Sequence, residues 1–291
     1  MPVRDTEQNQ IQVKVNNKRT WPSYASFAAA VILVISAGAT LSLAFPGPLT
    51  PAKLAAFVTV NSVVLAALAL VAAALSPLPL ATRLKLRASP TPGSKESGMT
   101  ALDWTLAIIG APALGLFLDG SLELLGVPLS EGLTLFSEVI SSASPAQLCL
   151  LALALSLGPG LGEELLFRGY IQTRLTERYG VMSGVVLSSL LFGALHLDPL
   201  HSTLAAIVGL YLGSLVVRSG DIRAGIAAHA FNNLFATLSP LASPPRGEAP
   251  AWTAFTTVLG FVVLVAISRR LFCVPPADRR DSAIFQEPPA P

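Results

Sequence analysis

Residues 54–82, LAAFVTVNSVVLAALALVAAALSPLPLAT, run for 29 positions without Asp, Glu, Lys or Arg. A helix needs about 20 predominantly apolar residues to cross a hydrocarbon core about 30 Å thick, so this stretch is long enough to span a membrane. Seven more charge-free stretches share the chain with it: 20–52, 104–118, 139–162, 179–197, 199–217, 224–245 and 249–268. The stretch 104–118 is short at 15 residues and is completed if Asp103 or Asp119 sits at the interface. The pattern predicts an all-α protein, a polytopic transmembrane helical bundle of about eight spans.

Composition agrees. Of 291 residues, 52% are hydrophobic and only 12% are charged, against about 25% charged in a soluble domain. That excludes disorder over most of the chain, which requires low hydrophobicity and high charge, and it argues against a water-soluble enzyme of two ordinary domains.

The basic residues set the expected orientation. Eight crossings from an inside N-terminus place 17 of the 19 Lys and Arg on the cytoplasmic side, with only Lys53 and Arg246 outside. This is the asymmetry of the positive-inside rule, and it puts the N- and C-termini in the cytoplasm. The positives therefore mark topology, and no nucleic-acid partner is expected. The apolar run after the polar leader is too long for the core of a cleavable signal peptide. Cys149 and Cys273 are expected near opposite sides of the membrane, which argues against a disulfide between them, and no CxxC is present. Cys149 is expected to pack as a small hydrophobe.

The expected organisation is a polar tail over 1–20, then N-terminal membrane helices over 21–144, with a linker at 83–100 and an outer loop at 119–144. A core over 145–240 follows, then a last span over 251–270 and a tail over 271–291. Gly158, Pro159 and Gly160 are expected to kink or interrupt the fourth span. Gly158, Gly160 and Gly162 look superficially like a phosphate loop, but no Lys-Ser/Thr follows.

Ionisable side chains at membrane depth are costly and mark function by default. Four qualify: Glu163, Glu164, His196 and His229. Glu164 and Arg168 lie four apart on one helical face, as an ion pair requires. Glu163 lies about 100° around the helix and has Phe167 as its neighbour four residues on, which leaves it free for general-base chemistry. Gly180 is the natural turn between the fourth and fifth spans. Glu163 lies 16 residues before Tyr179 and His196 lies 16 after Gly180, so an antiparallel hairpin brings both to one depth. His229 and Asn233, four apart, can donate two hydrogen bonds to one oxygen, as an oxyanion hole does. A single histidine near a helix end is more often an interfacial or hydrogen-bonded residue than a catalyst, so the weight rests on the group. His201, in a loop after Asp198 and Pro199, reads as non-catalytic, and Asn232 as helix-packing glue.

Three motifs now stand in order: Glu163-Glu164-Leu-Leu-Phe-Arg168 fits EExxxR, Phe192-Gly-Ala-Leu-His196 fits FxxxH, and His229-Ala-Phe-Asn-Asn233 fits HxxxN. Together they resemble the CPBP family of CAAX proteases and bacteriocin-processing proteins, which includes the type II CAAX prenyl endopeptidases. The likeness covers roughly residues 145–240. It implies an intramembrane endopeptidase in which Glu163 with His196 activates the attacking water, His229 with Asn233 stabilises the oxyanion, and Glu164 and Arg168 support them. The expected partners are the lipid bilayer and a membrane-associated protein or peptide substrate. The expected location is a bacterial cell (inner) membrane, with the site toward the cytoplasm. Two His and one Glu match the donor types of a catalytic zinc site, but there is no HExxH, so a metal-free glutamate mechanism is favoured and zinc is the alternative. A transporter or a non-catalytic immunity or scaffold protein would use the same polar cluster.

Overall fold

The computed structural model describes residues 23–44, 46–76, 78–86 and 99–273. The polar leader, the linker over 87–98 and the tail from 274 onward lie outside the described residues. All regular structure among the described residues is helical: α1 (Ser23–Ala44), α2 (Pro51–Ala74), the short α3 (Leu80–Arg83), α4 (Ala101–Leu124), α5 (Glu131–Ser141) and α6 (Pro145–Glu164). A π-helical stretch over Leu165–Ile171 joins α6 to α7 (Gln172–Tyr179), and α8 (Val181–Ala194), α9 (Pro199–Ser219), α10 (Ile222–Leu238) and α11 (Pro250–Ser268) follow.

Each charge-free stretch corresponds to a helix, but the helices differ in reach. Among the described residues, five helical runs are long and apolar enough to cross a membrane: Pro51–Ala74, Ala101–Leu124, Pro145–Tyr179, Pro199–Ser219 and Pro250–Phe272. α8 has 14 residues and α10 has 17, each shorter than any of these five runs. The run Pro145–Tyr179 has 35 residues, which at 1.5 Å per residue is about 52 Å, so its polar end must stand outside the hydrocarbon.

Local chemistry explains the boundaries. α2, α6, α9 and α11 open on a proline in the first turn, where the missing N–H costs nothing. Thr100 with Asp103 and Ser144 with Gln147 form reciprocal capping boxes. α4 resolves the short third stretch by including both flanking acids: Asp103 accepts from Arg270 Nε at 2.7 Å and Asp119 from Arg246 at 2.8 Å. The stretch expected as an outer loop contains α5, capped by Ser130, with Val139 and Ile140 buried. Its burial is tertiary, against Leu54, Leu151 and Leu155, so a scan for long apolar runs passes over it.

Two other expectations change. Of the kink or interruption expected at Gly158, Pro159 and Gly160, the interruption is absent, since the helix continues through them. The glycines serve close approach instead, because a methyl at Gly160 would stand 2.9 Å from Ala230 Cβ and one at Gly162 would collide with the Ser62 carbonyl. Small residues at helix crossings do this work in membranes. Cys149 is an exposed free thiol on α6 and does not pack in the core.

α6 lies between α2 and α10, and α10 also packs on α4 and α9, with α11 against α4 and α1 against α2. Several contacts gather one end of the bundle: Arg83 with Glu177 at 2.8 Å, the Ile222 N–H with the Lys85 carbonyl at 3.0 Å, Arg218 with the Leu271 carbonyl at 2.9 Å, and Arg270 with Asp103. Lys53, one of the two topological exceptions, donates to the carbonyls of Pro46, Gly47 and Pro48. It is occupied as a loop cap.

Candidate active site

The expected hairpin is present. Gly180, at φ +86, sits in a conformation glycine adopts at little cost and turns α7 into α8. The rings of Phe167, twelve residues before Tyr179, and Phe192, twelve after Gly180, meet edge-on at 5.3 Å. Nearer the turn, Ser188 donates to Gln172 Oε1 at 3.2 Å. The two arms of the hairpin are therefore paired from the turn as far as Phe167 and Phe192.

Glu164 and Arg168 form the expected ion pair, 2.6 Å apart with both side chains fully buried. Arg168 also donates to the Gly209 carbonyl at 3.3 Å and lies 4.2 Å over the Phe192 ring. One turn on, Gln172 donates to the Gly213 carbonyl at 3.0 Å. Two polar side chains four apart on the α6–α7 run thus reach two glycine carbonyls four apart on α9.

Glu164 does more than pair with Arg168. His229 Nδ1 lies 2.9 Å from the same Oε1. Because a carboxylate oxygen shared with an arginine is an acceptor, Nδ1 carries the hydrogen. A carboxylate partner on one ring nitrogen sets the role of the other, and His229 Nε2 faces Glu163 Oε2 at 3.9 Å. His229 therefore bridges the acid pair. The Glu163 side chain is 16% exposed where that of Glu164 is fully buried, so the two neighbours are separated into an accessible and an enclosed carboxylate.

His196 follows the end of α8. Its Nδ1 is 3.1 Å from the Phe192 carbonyl, which can only accept, so Nε2 is left for chemistry. Phe192 is the hub: its ring stands edge-on to His196 at 5.2 Å and to His229 at 5.7 Å. His201 belongs to the first turn of α9 and not to a loop, and its ring stacks edge-on against His196 at 4.3 Å. Asp198 caps that turn by accepting from the His201 N–H at 2.8 Å, which helps hold the Asp198 carboxyl below the usual carboxylate range. The chain reverses between the helices through Leu197 at φ +59, an unusual conformation for a bulky residue.

Asn233 Nδ2 donates to the Leu155 carbonyl on α6 at 3.1 Å, and its Oδ1 accepts from Asn232 at 3.3 Å. Asn232 Oδ1 also abuts Gly115 on α4, as a packing residue would. The residues that sequence reasoning missed are those acting across helices. Gly225 is one, since a methyl there would stand 2.7 Å from Glu164 Oε2. The signal for it was a glycine one turn before His229. Among the described residues no three or more His, Cys, Asp and Glu side chains are arranged to hold a metal ion.

The helical architecture and a buried acid–histidine cluster fed from three helices define an integral, multi-pass membrane protein with an enzyme-like polar centre. Residues 145–235 match the family model described as Rce1-like, type II CAAX prenyl endopeptidase. The match bears out the resemblance read from the three motifs, spans all six residues singled out, and supports a peptidase that acts on a peptide or protein in a membrane setting. Comparison with curated proteins and with solved structures gives no significant match.

Proposed function

We propose that this chain is an intramembrane endopeptidase that hydrolyses a peptide bond of a membrane-associated protein or peptide, of CAAX type or a leader or sorting signal. The observation that carries the reading is the Glu163–His229–Glu164 bridge. It supplies one enclosed carboxylate that holds a histidine and one accessible carboxylate beside it, inside a segment matching a protease family.

In this reading Glu163, with His196 Nε2, takes a proton from a water whose oxygen attacks the scissile carbonyl carbon. The carbonyl oxygen becomes the oxyanion. His229, carrying hydrogen on Nε2 as well as on Nδ1, and the second N–H of Asn233 donate to it, as such donors do when charge develops. Collapse breaks the C–N bond, and the proton returns to the leaving amine. Glu164 and Arg168 hold His229 and do not touch substrate.

The basic residues gathered at one end of the bundle support cytoplasmic termini and a site that opens to the cytoplasm of a bacterial cell. Single cysteines placed at 163 and 196, in a chain lacking Cys149 and Cys273, are expected to label from the inside. Labelling only from outside reverses the topology.

The decisive experiment compares new peptide termini in wild-type and Glu163→Ala cells at equal protein level. Termini that vanish with the substitution support the endopeptidase. Termini that persist leave a transporter or a scaffold. Activity lost on chelation, with stoichiometric zinc in the purified protein, would overturn the metal-free mechanism.

A further inference from the structure

Proline in a helix interior removes the N–H that would bond the carbonyl four residues earlier. Pro159 is buried in the interior of α6, in its C-terminal half, so the carbonyl deprived of its helical donor is that of Leu155. In hydrocarbon such a carbonyl must find another partner. It finds Asn233 Nδ2 at 3.1 Å, on a different helix and 78 positions along the chain. The close approach comes from Gly160, where a methyl would stand 3.2 Å from the Ala230 nitrogen.

The consequence for Asn233 is orientational. A side-chain amide has one acceptor oxygen and two N–H donors. Here the oxygen is taken by Asn232 and one hydrogen by Leu155. The amide is thereby fixed against flipping, because a carbonyl cannot accept from Oδ1, and one N–H is left over. Asn233 itself lies one turn from His229 on the same helical face.

We propose that Pro159 is a positioning residue of this site: by leaving the Leu155 carbonyl without a helical donor, it provides the anchor that fixes Asn233 with a single N–H free for substrate. This rests on the reading of Asn233 as an oxyanion donor, but the anchoring itself can be tested without activity. The proline then has a purpose other than bending α6.

The test is a double-mutant cycle on the purified full-length protein, read by thermal unfolding, with new termini counted in cells. Pro159→Ala and the bulkier Pro159→Val both restore an N–H at 159 and differ in volume, so a packing loss in one is recognised against the other. In the wild-type background Asn233→Ala orphans the Leu155 carbonyl and is expected to lower Tm by several degrees, about 2–4 °C for each hydrogen-bond-sized loss. With Pro159→Ala or Pro159→Val the restored N–H takes the Leu155 carbonyl, and the same Asn233→Ala step is expected to change Tm by less than half as much. Both proline variants, with Asn233 intact, are expected to lower the yield of Glu163-dependent termini roughly tenfold or more, the scale on which a misplaced group costs rate, without a matching fall in Tm. Equal Asn233→Ala losses in both backgrounds overturn the anchoring, and wild-type yields of termini in both proline variants overturn its role at the site. If Glu163→Ala leaves the termini unchanged while the Tm coupling is present, the endopeptidase reading fails and the anchor stands.

Discussion

Glu163 and Glu164 are adjacent and chemically identical, yet the structure gives them opposite consequences on substitution. Replacing Glu164 with Gln removes the charge that faces Arg168 at 2.6 Å in a fully buried pair. The new amide nitrogen also has to occupy the position of Oε2, a buried atom with no hydrogen-bond partner among the described residues, so a donor is stranded there or flips and strands Arg168. Removing one partner of a buried ion pair costs about 3–5 kcal/mol. A Gln oxygen still accepts one hydrogen bond, which places the cost near the lower end, and about 3 kcal/mol corresponds to a fall in Tm of about 6–12 °C. Glu163→Gln loses only a 3.9 Å contact with His229, too long for a hydrogen bond, and is expected to lower Tm by less than half as much, while it removes the proposed base. Thermal unfolding of the two purified variants, with the yield of new termini in cells, checks both halves. The reasoning is refuted if Glu164→Gln is as stable as wild type, or if Glu163→Gln is destabilised to the same extent. The double variant Glu164→Gln with Arg168→Met replaces the pair by near-isosteric groups and is expected to recover at least half of the lost Tm. It should stay inactive, because His229 has lost its charged acceptor.

Gly225→Ala places a methyl 2.7 Å from Glu164 Oε2 and is expected to cost about 1–3 kcal/mol through overpacking, with loss of cleavage, measured by Tm and new termini. Phe192→Ala removes the ring on which Arg168, His196 and His229 converge and is expected to destabilise by about 3–5 kcal/mol in the same unfolding assay. His201→Ala removes the ring stacked on His196 and is expected to slow cleavage roughly tenfold or more, whereas His201→Phe, which keeps a ring, should retain most of the rate; equal losses in single-turnover assays would deny the packing role. Cleavage by the purified protein is expected to survive chelation, with elemental analysis showing less than one metal per chain.

Much of the site was legible because it is local. The ion pair of Glu164 with Arg168 follows from a spacing of four, and the pairing of the two arms of the hairpin follows from counting outward from Gly180. The contacts of Phe167 with Phe192 and of Ser188 with Gln172 display that register. What spacing could not supply was the second partner of Glu164. His229 is 65 positions away, and its approach depends on how closely α10 crosses α6. Likewise His201 looked like a loop residue after Asp198 and Pro199. Pro199 instead opens α9, Asp198 caps it, and the reversal at Leu197 turns the ring back onto His196.

The sequence by itself determined the helical membrane character, the approximate limits of the helices and the identity of the polar residues at depth. Each of these depends on near neighbours: charge-free length, capping residues and the periodicity of one helix. The tertiary structure alone decided that one glutamate is enclosed and the other accessible, that His229 bridges them, and that Asn233 is held by a carbonyl which Pro159 leaves without its helical partner. Those outcomes depend on helix rotation and separation at crossings, which small residues such as Gly160, Gly162 and Gly225 permit by bringing backbones together, and no single-helix pattern encodes where two such surfaces meet.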